Sequence, residues 1–159
     1  MIFVTVGSQK FSMDRILIEI DTLINTKKIE EEVFAQTGYC QYKPSYFKSR
    51  NFLDREEFDQ YIKNCDLLIT HAGSASIMAG LKCHKPVIAI PRLKAYGEHV
   101  DDHQKELAGL LYDKGYLIMT ENMSMLEEAI LLARTSDFKV YESSTSKIVN
   151  IIRDYIEQI

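Results

Sequence analysis

Hydrophobic positions change their period repeatedly along this chain, and the changes mark out strands and helices in alternation. Ile2 to Val6 is a short β-branched run stopped by Gly7, the signature of a buried strand. Ile16, Leu17, Ile20, Leu23 and Ile24 then recur at helical spacing, with Ser12 as the expected cap. Val33 to Gln36 repeats the strand signature and stops at Thr37-Gly38. A polar, tyrosine-rich stretch through Tyr46 leads to an alternating segment up to Phe52. Asp54 with Glu57 forms a capping-box pair that opens a helix with Phe58, Tyr61 and Ile62 on one face. Leu67 to Thr70 is a compact strand, and the turn His71-Ala72-Gly73-Ser74 leads into a short helix of small residues that ends before Pro86. Val87 to Ile90 is the next strand, bounded by Pro91. Asp102 to Lys114 reads as a helix through Leu107, Leu110 and Leu111 with Gly115 as its stop, and Leu117 to Met119 as the last strand. Ser124 is expected to cap a helix carrying Leu126, Ala129, Ile130 and Ala133. A final amphipathic helix over 143–159 carries Ile148, Ile151, Ile152, Tyr155 and Ile159, widened by Val149 and Ile156.

Strands and helices alternating through short connections predict a single α/β domain over 1–159, a Rossmann-like, doubly wound and mainly parallel sheet with helices on both faces. Ligands of such sheets bind outside the carboxyl ends of the strands, where the strand order reverses. The loops after Val6, Gln36, Phe52, Thr70 and Ile90 are therefore where chemistry is expected. The stripe of the last helix is broader than one buried face requires, so its excess is expected to dock a partner, with packing on its own sheet as the other reading.

The chain has 159 residues, with 19 Lys+Arg against 23 Asp+Glu, a formal charge of −4. No basic stripe accompanies that balance, which argues against nucleic acid as a ligand. Cys40, Cys65 and Cys83 include no CxxC pair, so neither a disulfide framework nor a thiolate zinc site is expected and a reducing cytosol fits. The N-terminal run lacks the basic region of a leader, and the uncharged stretch Leu67 to Leu81 is too short and too polar for a membrane span.

Gly7-Ser8-Gln9-Lys10 holds one glycine where a dinucleotide fingerprint needs three, and no GxxxxGK[ST] occurs in the chain. His71-Ala72-Gly73-Ser74-Ala75-Ser76 is different: it places glycine and small hydroxyl residues at a helix N-terminus, where free N–H groups and the helix dipole favour phosphate. Ser74 or Ser76 acting only as an N-cap is the plainer alternative.

These residues resemble a known family. His71-Ala72-Gly73-x-x-Ser76, then Gly80, Lys85-Pro86-Val87-Ile88-x-Ile90-Pro91 and Asp102-His103-Gln104, are similar to the C-terminal, donor-binding half of the GT-B glycosyltransferases of family 28. Gly7-Ser8-Gln9 resembles its first phosphate-side loop, and Phe52 and Leu53 resemble the loop that borders uracil. The segment Pro91 to Gln104 is most similar to short bacterial capsule and exopolysaccharide β-1,4-glycosyltransferase subunits, which the resemblance sets beside the Alg13-like catalytic subunit of the two-piece dolichol-linked enzyme. The resemblance implies inverting transfer of a hexose from a UDP-sugar to an undecaprenyl-diphosphate-linked saccharide in capsule or exopolysaccharide synthesis. Galactose is the first expectation, ahead of glucuronic acid and N-acetylglucosamine. It also implies an Alg14-like membrane-associated partner that supplies the acceptor half and holds this cytoplasmic chain at the inner face of the plasma membrane.

The implied donor-binding residues are Gly7, Ser8, Gln9, Phe52, Leu53, His71, Gly73, Ser74, Ser76, Asp102 and Gln104. Gly73, Ser74 and Ser76 would hold the diphosphate, while Gln104, with Asp102 or His103, would hold sugar hydroxyls. No metal or other cofactor is expected, and the chain has no DxD carboxylate pair. His71 is open to two readings, a phosphate contact with near-neutral titration or a satisfied structural histidine. The general base is His99, Glu98 or His103, or it lies on the partner. Glu98 and His99 could equally belong to a solvated loop. Where many relatives place a ribose-gripping glutamate, this chain has Ala79. A non-catalytic accessory subunit that binds the nucleotide sugar and activates a separate transferase is the competing function. A receiver-like module is disfavoured, because neither Val6-Gly7-Ser8 nor Thr70-His71 supplies the acidic residues it requires.

Overall fold

A computed structural model describes residues 1–100 and 103–142, the side chain of His103 excepted. The amphipathic helix expected over 143–159 and the candidate Asp102 lie outside the described residues. The strands are β1 (Ile2–Thr5), β2 (Val33–Gln36), β3 (Lys48–Arg50), β4 (Leu67–Thr70), β5 (Val87–Ala89) and β6 (Ile118–Met119). All pair in parallel, in the order β3-β2-β1-β4-β5-β6. Hydrogen bonding continues one residue past two of the strands, since Val6 N donates to Gln36 O and Ile90 N to Thr70 O. The helices are α1 (Asp14–Asn25), α2 (Arg55–Asn64), α3 (Ser74–Lys82), α4 (His103–Asp113) and α5 (Leu126–Thr135). This is the expected Rossmann-like arrangement, and its order reverses between β1 and β4.

Alternation along the strands divides the core into two layers. Ile2 and Val4 of β1, with Ile69 and Ile88, pack against Ile16, Leu17 and Ile20 of α1 and Ala129 and Ile130 of α5. Phe3, Leu68, Val87 and Ala89 face the other way, onto Ile62, Ile77, Leu81, Ala108 and Leu111 from α2, α3 and α4. Phe34 and Tyr61 stack there with ring centroids 4.1 Å apart. Gly80 lets α3 lie close on the sheet: a Cβ there would stand 2.7 Å from Leu68 Cδ2 and 2.8 Å from Val87 Cγ2.

The Asp54–Glu57 box forms as the spacing predicts, with Glu57 N donating to Asp54 Oδ1 at 2.9 Å and Asp54 N to Glu57 Oε2 at 3.3 Å. Asp54→Ala is expected to lower stability by about 1 kcal/mol, read as a shift of the urea midpoint at unchanged slope. The two serine caps expected elsewhere do not form. Ser12 turns its hydroxyl onto Asp14 Oδ1, 2.7 Å away, and α1 begins after Met13 with no side-chain cap. Asn122 rather than Ser124 is the capping side chain: its Oδ1 accepts from Ser124 N at 3.1 Å and starts a 3-10 turn, Met123–Met125, that runs into α5. Among the described residues, no helix is long and apolar enough to cross a membrane.

Candidate functional site

A cleft of about 1060 Å³ opens at the carboxyl ends of β1 and β4, the reversal point of the sheet. Gly7, Ser8 and Gln9 form one wall, and His71, Gly73, Ser74 and Ser76 form the other. Gln36 and Gln104 also line it, and it continues between α2 and α3 past Arg55, Asp59, Lys63, Ala79 and Lys82. Of the residues singled out from sequence, the cleft brings together these seven wall residues and Gln104. Phe52 and Leu53 stand apart from its lining: Phe52 is exposed and meets the Tyr39 ring edge-on at 5.2 Å, and Leu53 packs on the core.

The N-terminus of α3 is open. Gly73 is its N-cap and no side chain caps it, so neither Ser74 nor Ser76 fills the plainer N-cap role. The first bond within the helix runs from Ile77 N to Gly73 O, at 3.0 Å, which leaves the N–H groups of Ser74, Ala75 and Ser76 without an intrahelical acceptor. Ser74 is exposed and Ser76 is 8 % exposed. Donors and helix dipole together make this end a place for an anion.

Ala72 makes the turn by taking φ +63°, in the left-handed region that a residue with a Cβ rarely enters. Strain of this kind is retained where surrounding structure requires it. Here the turn lays the His71 ring between two glycines. A Cβ on Gly7 would come within 2.5 Å of His71 Nε2, and one on Gly73 within 2.4 Å. The other ring nitrogen, Nδ1, lies 3.2 Å from Thr5 O and 3.4 Å from Thr70 Oγ1. Burial, then the nearby Arg92 and His99 charges, hold the His71 pKa down to about 4, outweighing the bond to Thr5 O. The near-neutral titration expected from sequence is corrected accordingly: this imidazole is neutral at pH 7. Its Nδ1–H donates to Thr5 O, and Nε2 is left as an acceptor between the glycines.

Glu98 does not sit in a solvated loop. It is 4 % exposed, Arg15 Nε and Nη2 donate to its two oxygens at 2.8 and 3.1 Å, and Leu93 N donates at 3.0 Å. A carboxylate so engaged fixes the loop after β5 rather than standing ready for a substrate proton. The His99 ring lies 6.2 Å from that of Phe11. His103 opens α4, and Gln104 Oε1 accepts from Arg92 N at 3.4 Å. Among the described residues, no group of three or more His, Cys, Asp and Glu is placed to hold a metal ion.

Two polar anchors of the site are not among the binding residues that the resemblance implies. Gln36 is buried at the cleft, donating to Thr5 Oγ1 at 3.3 Å and accepting from Leu53 N at 3.1 Å, so it joins the ends of β1 and β2 to the loop after β3. Its signal was a polar residue closing an otherwise apolar strand. Arg92, directly after Pro91, is 1 % exposed and reaches under the Gly7 loop.

Comparison with known proteins agrees with this geometry. UDP-N-acetylglucosamine transferase subunit ALG13 of Homo sapiens is 30 % identical over 125 residues, covering 73 % of this chain and 10 % of the relative. The UDP-N-acetylglucosamine--N-acetylmuramyl-(pentapeptide) pyrophosphoryl-undecaprenol N-acetylglucosamine transferase of Prochlorococcus marinus is 25 % identical over 107 residues, covering 65 % of this chain and 28 % of that enzyme. The chain thus spans well under two thirds of either relative. The solution structure of an ALG13 superposes with a TM-score of 0.63 at 16 % identity, covering 95 % of this chain and 93 % of that one, which shows a shared fold. With a parallel sheet whose reversal point meets an uncapped helix, and a family match running from residue 1 to 159, the chain belongs to the glycosyltransferase family 28 C-terminal domain family.

Proposed function

We propose that this chain is the donor-binding, catalytic half of an inverting, UDP-sugar-dependent glycosyltransferase, and that a second, membrane-associated chain supplies the acceptor half. The observation that carries the reading is the open start of α3, with three N–H groups lacking intrahelical acceptors and two serines beside them, at the reversal point of the sheet. When the bond from the anomeric carbon to the diphosphate oxygen breaks, negative charge gathers on the departing UDP. Donors already aimed at that position stabilise it without reorganisation. The acceptor hydroxyl loses its proton to a base, for which His99, His103 or a group on the second chain is proposed, Glu98 being held by Arg15.

The donor is proposed to be UDP-N-acetylglucosamine, because both relatives carry that sugar in their names. N-acetylglucosamine thus stands ahead of galactose, the first expectation from the resemblance. A polyprenyl-diphosphate-linked acceptor is supported by the undecaprenol in the name of the second relative. The subunit character of the first supports the two-chain arrangement.

Calorimetric titration with UDP, UDP-N-acetylglucosamine, UDP-galactose, UDP-glucose and NAD, with and without magnesium, tests the reading. UDP species are expected to bind in both conditions and NAD in neither. Ser76→Ala and Gln104→Ala are each expected to weaken binding about tenfold to a hundredfold, the loss of one hydrogen bond to a charged or polar ligand group. Unchanged UDP affinity in Ser76→Ala would remove the phosphate cradle. Full turnover by the co-purified pair carrying either variant would favour the accessory role over the catalytic one.

A further inference from the structure

We propose that Arg92 is a positioning residue of this site, a wholly buried guanidinium that clamps both ends of the Gly7–Lys10 loop and lends its positive charge to a diphosphate held between that loop and α3. The proposal rests on the donor-binding reading above. Arg92 Nη2 donates to Val6 O at 2.6 Å, and Nη1 donates to Phe11 O at 2.7 Å and Glu98 O at 3.1 Å. Val6 and Phe11 flank the loop, so one planar fork fixes where it leaves β1 and where it returns. The backbone N–H of the same residue meets Gln104 on the facing side of the cleft.

The choice of arginine is what needs explaining. Among the described residues, every acceptor of its side chain is a neutral carbonyl, and Nε is buried with no partner. The neighbouring carboxylate, Glu98, favours the charge through space, but burial outweighs it and its hydrogen bonds go to Arg15 and to Leu93 N. Removing a cation from water without a hydrogen-bonded carboxylate is costly, and a residue kept only to fill space or to support a loop would be cheaper uncharged. An anion arriving beside the loop recovers part of that cost. The charge already reaches the cleft wall, since Arg92 is among the groups that hold His71 neutral, together with His99.

The test uses the full chain, with Arg92→Met removing both charge and clamp and Arg92→Lys keeping the charge but not the fork. Affinities for UDP, UMP and uridine are measured at low salt, and the His71 imidazole is titrated by NMR without ligand. In Arg92→Met, UDP is expected to lose on the order of tenfold or more, UMP less, and uridine under about threefold, because Coulomb energy grows with ligand charge. The His71 pKa is expected to rise in Arg92→Met and to stay low in Arg92→Lys. Arg92→Lys is also expected to keep the ratio of UDP to uridine affinity within about threefold of the parent, which serves as the test if Arg92→Met does not fold. Equal losses for UDP and uridine, or a ratio that collapses in Arg92→Lys, would overturn the charge role and leave a loop support. A parent chain that binds neither UDP nor UMP would instead overturn the donor-site reading, and this proposal with it. An unmoved His71 in Arg92→Met overturns the charge role without reference to any nucleotide.

Discussion

Gly73→Ala is expected to lower UDP affinity about tenfold to a hundredfold, the loss of a hydrogen bond to a charged group, and to reduce stability by about 1–3 kcal/mol, the usual cost of overpacking. The backbone raises no objection to alanine, since Gly73 has φ −64° and ψ 130°. The objection is space. The added methyl would lie 2.4 Å from His71 Nε2 and 2.7 Å from Cε1. The ring is confined, because Gly7 also crowds its Nε2–Cε1 end and Thr5 O holds Nδ1 at 3.2 Å. The clash is therefore passed to the turn that presents the N–H groups of α3. Calorimetry with UDP and a thermal melt read the two effects. Adding His71→Ala to the variant removes the atoms the new methyl would meet, so it is expected to recover part of the lost affinity, the coupling of two residues in contact. Parent-like UDP binding by Gly73→Ala would show that the ligand does not use this end of α3.

The second large effect is the dependence of stability on acid. His71 titrates at about 4 in the fold and near 6.5 when unfolded. Between those values the unfolded chain takes up a proton that the folded chain refuses, so stability falls as the pH drops from about 6.5 toward 4. Above 6.5 both states carry a neutral ring and the contribution is flat. The full difference is about 3 kcal/mol. Urea unfolding of the parent and of His71→Asn at pH 7, 5.5 and 4.5 isolates it: the gap between the two proteins is expected to narrow or reverse as the pH falls. Parallel pH profiles would mean that the ring is solvated enough to accept its proton in the fold.

The centre of the parallel sheet was legible because β1, β2, β4 and β5 are short, mainly apolar runs, three of them cut off by Gly7, Gly38 and Pro91, and a strand buried on both faces needs little else. The two misplaced caps had a local cause, as Ser12 and Ser124 each lie beside a side chain or backbone group that competes for the role. The glycines and serines of the cleft were legible because they sit in the turns that follow strands. The burial of Glu98 in the loop after β5 was not legible, for a different reason. Arg15 and Glu98 are 83 residues apart, and Arg92 reaches Val6 across 86, so nothing nearby in the chain announces that these charges are buried. A charge run looks the same in sequence whether its partners are water or a distant helix.

The edges of the sheet bear on how a second chain could attach. Among the described residues, one edge is β3, only Lys48–Arg50, with both basic residues exposed and Arg50 drawn to Glu57 at 2.6 Å, and the other is β6, only two residues long. Short, charged borders offer little backbone for another strand to pair with, and they resist end-to-end stacking of copies into fibrils. Recognition of the proposed acceptor half is therefore expected to be written in side chains on helices and loops, which makes it selective among partners and separable by surface substitutions that leave the sheet intact.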